Sequence, residues 1–201
     1  MLTHVWGLMA HPQREWKQMH DEHETVFHLY AHHVLILSAV PVVCSFIGTT
    51  QFGWGLGAER TIQLGLLDAF YAGIVFYLVI LAAVFFMGNV IHWMAQRFVD
   101  PPNRRRCVKF AGYVATPMLL SGVVALYPIV WLCLLAGVIG LCWSGYLLYV
   151  GIPNFLDISD EQGFIVSSAT LAIGVLVLEM LLAATVLLWG YGERIILSIL
   201  Q

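Results

Sequence analysis

FAGYVATPMLLSGVVALYPIVWLCLLAGVIGLCWSGYLLYVGIPNFL, residues 110–156, contains no charged side chain. Only scattered Ser, Thr, Tyr, Asn, Gly and Pro interrupt its apolar residues. A helix crossing the hydrocarbon core of a bilayer needs about 20 apolar residues. A run more than twice that length crosses twice. Tyr127-Pro128 marks the turn, because proline has no N–H to continue a helix. The run therefore predicts a transmembrane hairpin, 110–127 and 129–151, with almost no loop. A helix in a soluble core is usually shorter and amphipathic, so a soluble fold is excluded.

Composition agrees. The chain has 201 residues, of which 60% are hydrophobic and 10% charged, where soluble domains carry about 25% charged residues. The net charge of −3 argues against a nucleic-acid partner. Cys44, Cys107, Cys133 and Cys142 show no C-x-x-C spacing. Cys133 and Cys142 share one predicted helix about 13 Å apart, too far for a disulfide. The first apolar run begins after about thirty polar, His-rich residues, later than a signal peptide starts.

Outward from the hairpin, three more spans are expected, at about 32–48, 69–95 and 168–191. The fold class is all-α: a polytopic bundle of five transmembrane helices with an N-terminal amphipathic helix. Residues 1–31 form a cytoplasmic segment and 32–201 the membrane domain. In the first segment His11-Pro12 suits a helix start. Trp16, Met19, His23, Val26, Phe27 and Tyr30 then share one face, as in a helix lying among lipid headgroups. Pro41 should kink the first span. Residues 48–68 should hold a turn and a short extended piece. Residues 96–109 and 153–167 read as loops, the second with Ser159 and Gln162 at capping-box spacing, so that the last helix starts near Asp160. Gly190 and Gly192 should end or loosen that helix. Cys107 reads as a solvated loop thiol.

Cytoplasmic flanks carry the excess of Lys and Arg. With the N-terminus inside, that side holds Arg14, Lys17, Arg97, Arg104, Arg105, Arg106 and Lys109, and the other only Arg60 and Arg194. The C-terminus is then periplasmic.

Several stretches resemble one family: His4-Val5-Trp6-Gly7-Leu8 through His11-Pro12, Val40-Pro41-Val42-Val43-Cys44 through Gly48-Thr49-Thr50-Gln51, and Phe110-Ala111-Gly112-Tyr113-Val114-Ala115-Thr116-Pro117. Gly145-Tyr146-Leu147-Leu148-Tyr149 and Leu188-Trp189-Gly190-Tyr191-Gly192 complete the set. The chain resembles the Yip (Ypt-interacting protein) family, and within it the bacterial inner-membrane branch. The resemblance implies a five-span fold and an inner-membrane location. Eukaryotic members bind Rab GTPases, a role that does not carry over to a bacterial chain without such partners.

Two constellations stand out. His20, His23, Glu24 and His28 fall at i,i+3 and i,i+4 spacing on one helix, a set that would take zinc or another divalent ion as cofactor; the bland counterpart is a polar interfacial helix. Glu179 lies about eleven residues into the fifth span, near mid-bilayer, where a charge costs about 2.5–3.5 kcal/mol. It should face the bundle interior, with Asn89, Tyr113, Thr116 or Tyr146 as hydrogen-bond partner. His92 and these residues could together line an intramembrane polar pocket. The bland counterpart is pairwise hydrogen bonds between helices. No catalytic triad, phosphate loop or dinucleotide fingerprint occurs, so the chain reads as no enzyme. The reading is an interaction or membrane-organising protein whose partners are the lipid bilayer and a second copy or other membrane proteins. The alternative is a small transporter or channel for a divalent metal or protons.

The basic asymmetry generates a first prediction. Reporters fused at Gln201 and within residues 153–167 should lie on opposite sides of the membrane; both on one side would overturn the five-span, N-in arrangement.

Overall fold

The computed structural model describes residues 7, 11–21, 33–55, 61–62, 65–97 and 101–199; of 17–21, 54–55, 61–62 and 181–199 it describes the backbone alone. Among these residues five helical segments are long and apolar enough to span a membrane: Leu35–Phe52, Leu66–Ala95, Arg104–Leu126, Val130–Leu156 and Asp160–Met180. A short helix, α1 (Pro12–Asp21), precedes them, with proline in its first position, where the missing N–H has no partner to lose.

The first span is α2 (Leu35–Ile47), prolonged by a π-helical turn over Gly48–Phe52. Gly53 ends it at φ 76, a backbone conformation that costs glycine nothing. A minimal antiparallel pairing follows, β1 (Trp54–Gly55) on β2 (Thr61–Ile62), which is the short extended piece expected there. The second span, α3 (Leu66–Ala95), is the long outer helix. The third is α4 (Arg104–Val114), a break at Ala115, α5 (Thr116–Ser121) and a tight 3₁₀ turn over Gly122–Leu126. Pro117 accounts for the break, since it has no N–H for the Tyr113 carbonyl. The chain turns at Tyr127–Ile129 and returns as α6 (Val130–Leu156). The last helix is α7 (Asp160–Ile199).

Three boundaries differ from the sequence expectation. Residues 104–109 are helical, because Asn103 caps α4 by accepting from the Arg105 amide at 3.3 Å; Cys107 is then fully buried inside the helix rather than solvated. Pro153 lies within α6, not in a loop. Its ring is accommodated against Gly163 of α7, where an added methyl would lie 3.1 Å from the ring. The connection shrinks to Asp157–Ser159, turned by Asp157 at φ 57. Finally, α7 runs on past Gly190 and Gly192, because glycine weakens a helix by only about 1 kcal/mol and keeps its N–H.

Residues 101–103 and 157–159 lie at one end of the bundle, where Arg106 Nη1 of α4 makes an ion pair with Asp157 Oδ2 at 3.1 Å. This is called the basic end below. The main core sits there: Trp16, Ile91, Phe110, Leu147, Ile152, Phe155 and their neighbours. Trp16 is 0% exposed. Its indole is 4.9 Å from the Phe110 ring, 5.5 Å from Phe155 and 6.3 Å from Tyr113. α1 is thus docked on α6 with Trp16 inside the protein, not laid in lipid. Gly151 makes the seat: a Cβ there would run into Phe110 and approach Trp16 Cε2 to 2.8 Å. The outer surfaces of α3 and α6 instead expose Phe70, Ile74, Val75, Trp131, Leu135 and Ile139, as expected of lipid-facing helices.

Trp16→Ala should destabilise the protein by about 3–5 kcal/mol through cavity formation. Trp16→Phe should cost much less, because it keeps a ring and removes a buried indole N–H that has no acceptor among the described residues. Gly151→Val should cost about 1–3 kcal/mol by overpacking the same seat. Thermal unfolding in one detergent ranks the three; equal midpoints for Trp16→Ala and wild type would remove α1 from the core.

Candidate functional site

The polar side chains singled out from sequence do not converge on one pocket. They separate into a buried tie, a basic rim and two exposed positions.

The buried tie joins the first and third spans. His33 Nε2 lies 3.0 Å from Thr116 Oγ1, and the imidazole packs 5.0 Å from the Tyr113 ring. His33, Thr116 and Tyr113 are all buried. Their meeting follows from the break at Ala115, which turns Thr116 toward the start of the first span. A second set of ties links α6 to α7: Tyr149 Oη to Ser168 Oγ at 2.9 Å, and Ser167 Oγ donating to the Leu148 carbonyl at 3.5 Å. Thr170 Oγ1 lies 3.7 Å from Met94 Sδ and so links α7 to α3. These hydroxyls find their partners on neighbouring helices.

The rim lies on α3 and its loop. His92 Nδ1 is 3.1 Å from the Pro102 carbonyl, and its Nε2 is 3.2 Å from Gln96 Nε2. Asn89 Nδ2 donates to the Phe85 carbonyl at 2.7 Å, and Asn89 Oδ1 accepts from Arg104 Nε at 2.6 Å. His92 and Asn89 therefore brace Pro102 and Arg104 at the start of α4.

Tyr146 is 46% exposed and packs on Trp143, 5.7 Å between rings. Glu179 is exposed too. The expectation that it faces the interior is not met, and none of Asn89, Tyr113, Thr116 or Tyr146 bonds to it. The inner stripe of α7 is Ser167, Thr170, Leu171, Gly174 and Leu178, at helical spacing: Leu171 meets Gly145, Gly174 meets Met87, and Leu178 lines a crevice beside Val79. Glu179 falls about 100° off that stripe. The signal that could have found the inner face is its small residues, Ser167, Thr170 and Gly174, which let helices approach closely.

An apolar cavity of about 200 Å³ lies between α3, α4, α6 and α7, lined by Met87, Ile91, Val114, Ser144, Leu148 and Leu171 among others. Ser144 Oγ is buried there without a partner among the described residues. Of the metal-ligand set, His23, Glu24 and His28 lie outside the described residues, and of His20 only the backbone is described. Among the described residues no three His, Cys, Asp or Glu side chains cluster as a metal would require.

Five membrane-length helices closed at one end by a docked N-terminal helix define a polytopic α-helical membrane protein. Comparison with known families matches residues 6–181 to the Yip1 domain. The inner membrane protein YohC of Escherichia coli K12 is 55% identical over 194 residues, 96% of this chain and 100% of that protein. Its counterpart in Escherichia coli O6:H1 strain CFT073 matches to the same extent. No solved structure shows a significant match. The chain belongs to the Yip1 family, as its sequence motifs had implied.

Thr116→Val removes the hydroxyl facing His33 and should cost about 1–3 kcal/mol, the penalty of a buried polar group left unpaired. Glu179→Leu should cost nothing or stabilise, since it takes a carboxylate off an exposed position at membrane depth. Thermal stability of the two variants in the same detergent makes the comparison; the reverse order would return Glu179 to the interior.

Proposed function

We propose that this protein is a non-enzymatic, membrane-organising protein of the bacterial inner membrane that works through its surfaces. The basic end and α1 face the cytoplasm and the C-terminus faces the periplasm. The placement draws support from the relatives named as inner membrane proteins and from the excess of Arg and Lys at one end. The activity reading rests on one observation: several deep polar side chains tie helix to helix, Ser38 and Ser144 being buried exceptions among the described residues. His33 with Thr116, Tyr149 with Ser168 and Ser167 with the Leu148 carbonyl are engaged pairwise. A transport path needs such groups free and lining water. The crevices between helices are instead lined by apolar residues, and the one deep carboxylate described, Glu179, is on the outside. A rigid bundle with α1 locked to its end by Trp16 presents fixed surfaces to lipid, to a second copy or to other membrane proteins.

Purified protein in vesicles loaded with proton- and zinc-sensitive dyes should show no flux above empty vesicles. Photo-cross-linkers at Ser159 and Trp131 should give discrete adducts in native membranes. Saturable flux that Glu179→Gln abolishes would replace this reading with transport.

A further inference from the structure

We infer that the basic end carries a built site for the phosphate of an anionic glycerophospholipid, centred on Arg104 and Arg105. The first turn of α4 holds Arg104, Arg105 and Arg106 and no acidic residue. A helix N-terminus already carries partial positive charge and favours Asp or Glu there. Three guanidinium groups at this point need compensating anions. Asp157 supplies one, to Arg106. Arg105 has no carboxylate partner among the described residues. Arg104 is bonded only to the neutral oxygen of Asn89, 2.6 Å from its Nε, and its guanidinium lies 5.6 Å from the centre of the Phe85 ring.

The position of Arg104 is the second and independent observation. Its side chain, though exposed, runs back along α3 to Asn89 and Phe85. Phe85, Asn89 and Trp93 succeed one another at i,i+4 on a single face of that helix. Phe85 is 46% and Trp93 58% exposed, on the surface that lipid covers. Arg97 lies over Trp93, 5.2 Å from the ring centre. α3 has 30 residues, about 45 Å of helix at 1.5 Å per residue, against a hydrocarbon core of about 30 Å. If the excess is shared between its ends, Asn89 lies near the boundary of hydrocarbon and headgroup, where lipid phosphates and glycerols begin. Asn89 is itself held, its amide nitrogen donating to the Phe85 carbonyl at 2.7 Å. It fixes Nε of Arg104 and leaves the terminal nitrogens, whose planar fork suits two phosphate oxygens. Arg105 adds charge from the headgroup side, and the rings of Phe85 and Trp93 offer the acyl chains an apolar wall. Net negative lipid is favoured over zwitterionic lipid because, among the described residues, Arg104, Arg105 and Arg97 have no carboxylate partner.

The test is native mass spectrometry of the full chain in mixed micelles containing equal phosphatidylglycerol and phosphatidylcholine. Wild type should retain phosphatidylglycerol preferentially. Arg104→Lys keeps the charge, and with it the orientation signal, but loses the fork; Asn89→Leu keeps every charge but releases Arg104. Each should lower the preference about five-fold, the factor expected for losing one net hydrogen bond to the phosphate. Arg14→Gln, a charge removed elsewhere, should leave the preference unchanged. If both site variants keep the wild-type preference, the attraction is diffuse and no site exists. If one variant fails to fold, the other decides alone. If millimolar inorganic phosphate displaces the lipid, the site takes free phosphate and the lipid assignment is wrong.

Discussion

The seating of one indole holds the basic end of the molecule together. Trp16 packs against both Phe110 of the third span and Phe155 of the fourth, which themselves stack, above a glycine that leaves room for it. The contact joins a short polar helix to a bundle that would otherwise show its end to water. Burying a tryptophan removes a large apolar area from solvent, and in a membrane protein this driving force operates only outside the lipid. Within the bilayer helices gain nothing from hydrophobicity when they meet, because lipid tails are as apolar as leucine. The strongest apolar core therefore sits at the end of the bundle, where Trp16, Phe110, Phe155 and Ile152 meet.

Deeper in, cohesion depends on other means. Small residues bring backbones close: Gly88 of α3 packs on Val108 of α4, and Gly140 of α6 on Ser121 at the end of α5. Hydrogen bonds of modest strength fix the register, His33 to Thr116 and Tyr149 to Ser168. The same accounting explains why these groups are ties and not a pathway. A hydroxyl or imidazole in hydrocarbon takes the nearest partner, and here the nearest partners are on neighbouring helices. The two irregular points, the break at Ala115 and the proline within α6, lie against other protein segments, where freed carbonyls do not meet lipid.

The basic end has a second character besides its core. Its arginines are arranged over aromatic rings, Arg97 on Trp93, Arg104 on Phe85 and Arg106 on Phe155. Long basic side chains near the end of a spanning helix bury their stems and carry their charge toward the interface. Arg106 also pairs with Asp157 across the α6–α7 connection, and under the proposed topology the arginines mark the cytoplasmic side.

The sequence by itself determined the number of spans, the turn at Tyr127-Pro128, the start of the last helix at Asp160 and the family. These are features read along the chain: an uncharged run has a length, and Pro128 has no N–H with which to continue a helix. Only the tertiary structure decided which face of each span turns inward. A helix that is apolar all round carries almost no periodic signal, so only the small residues Ser167, Thr170 and Gly174 set the inward face apart from that of Glu179. The same limit hid Trp16. Its helix is amphipathic whether its apolar face meets lipid or protein, and the choice was made by Gly151 and Phe110, more than ninety residues away in the chain. Asn89 and His92 were legible as polar residues near a helix end. Their role as braces for the start of α4 appeared only when folding placed Arg104 and the Pro102 carbonyl beside them.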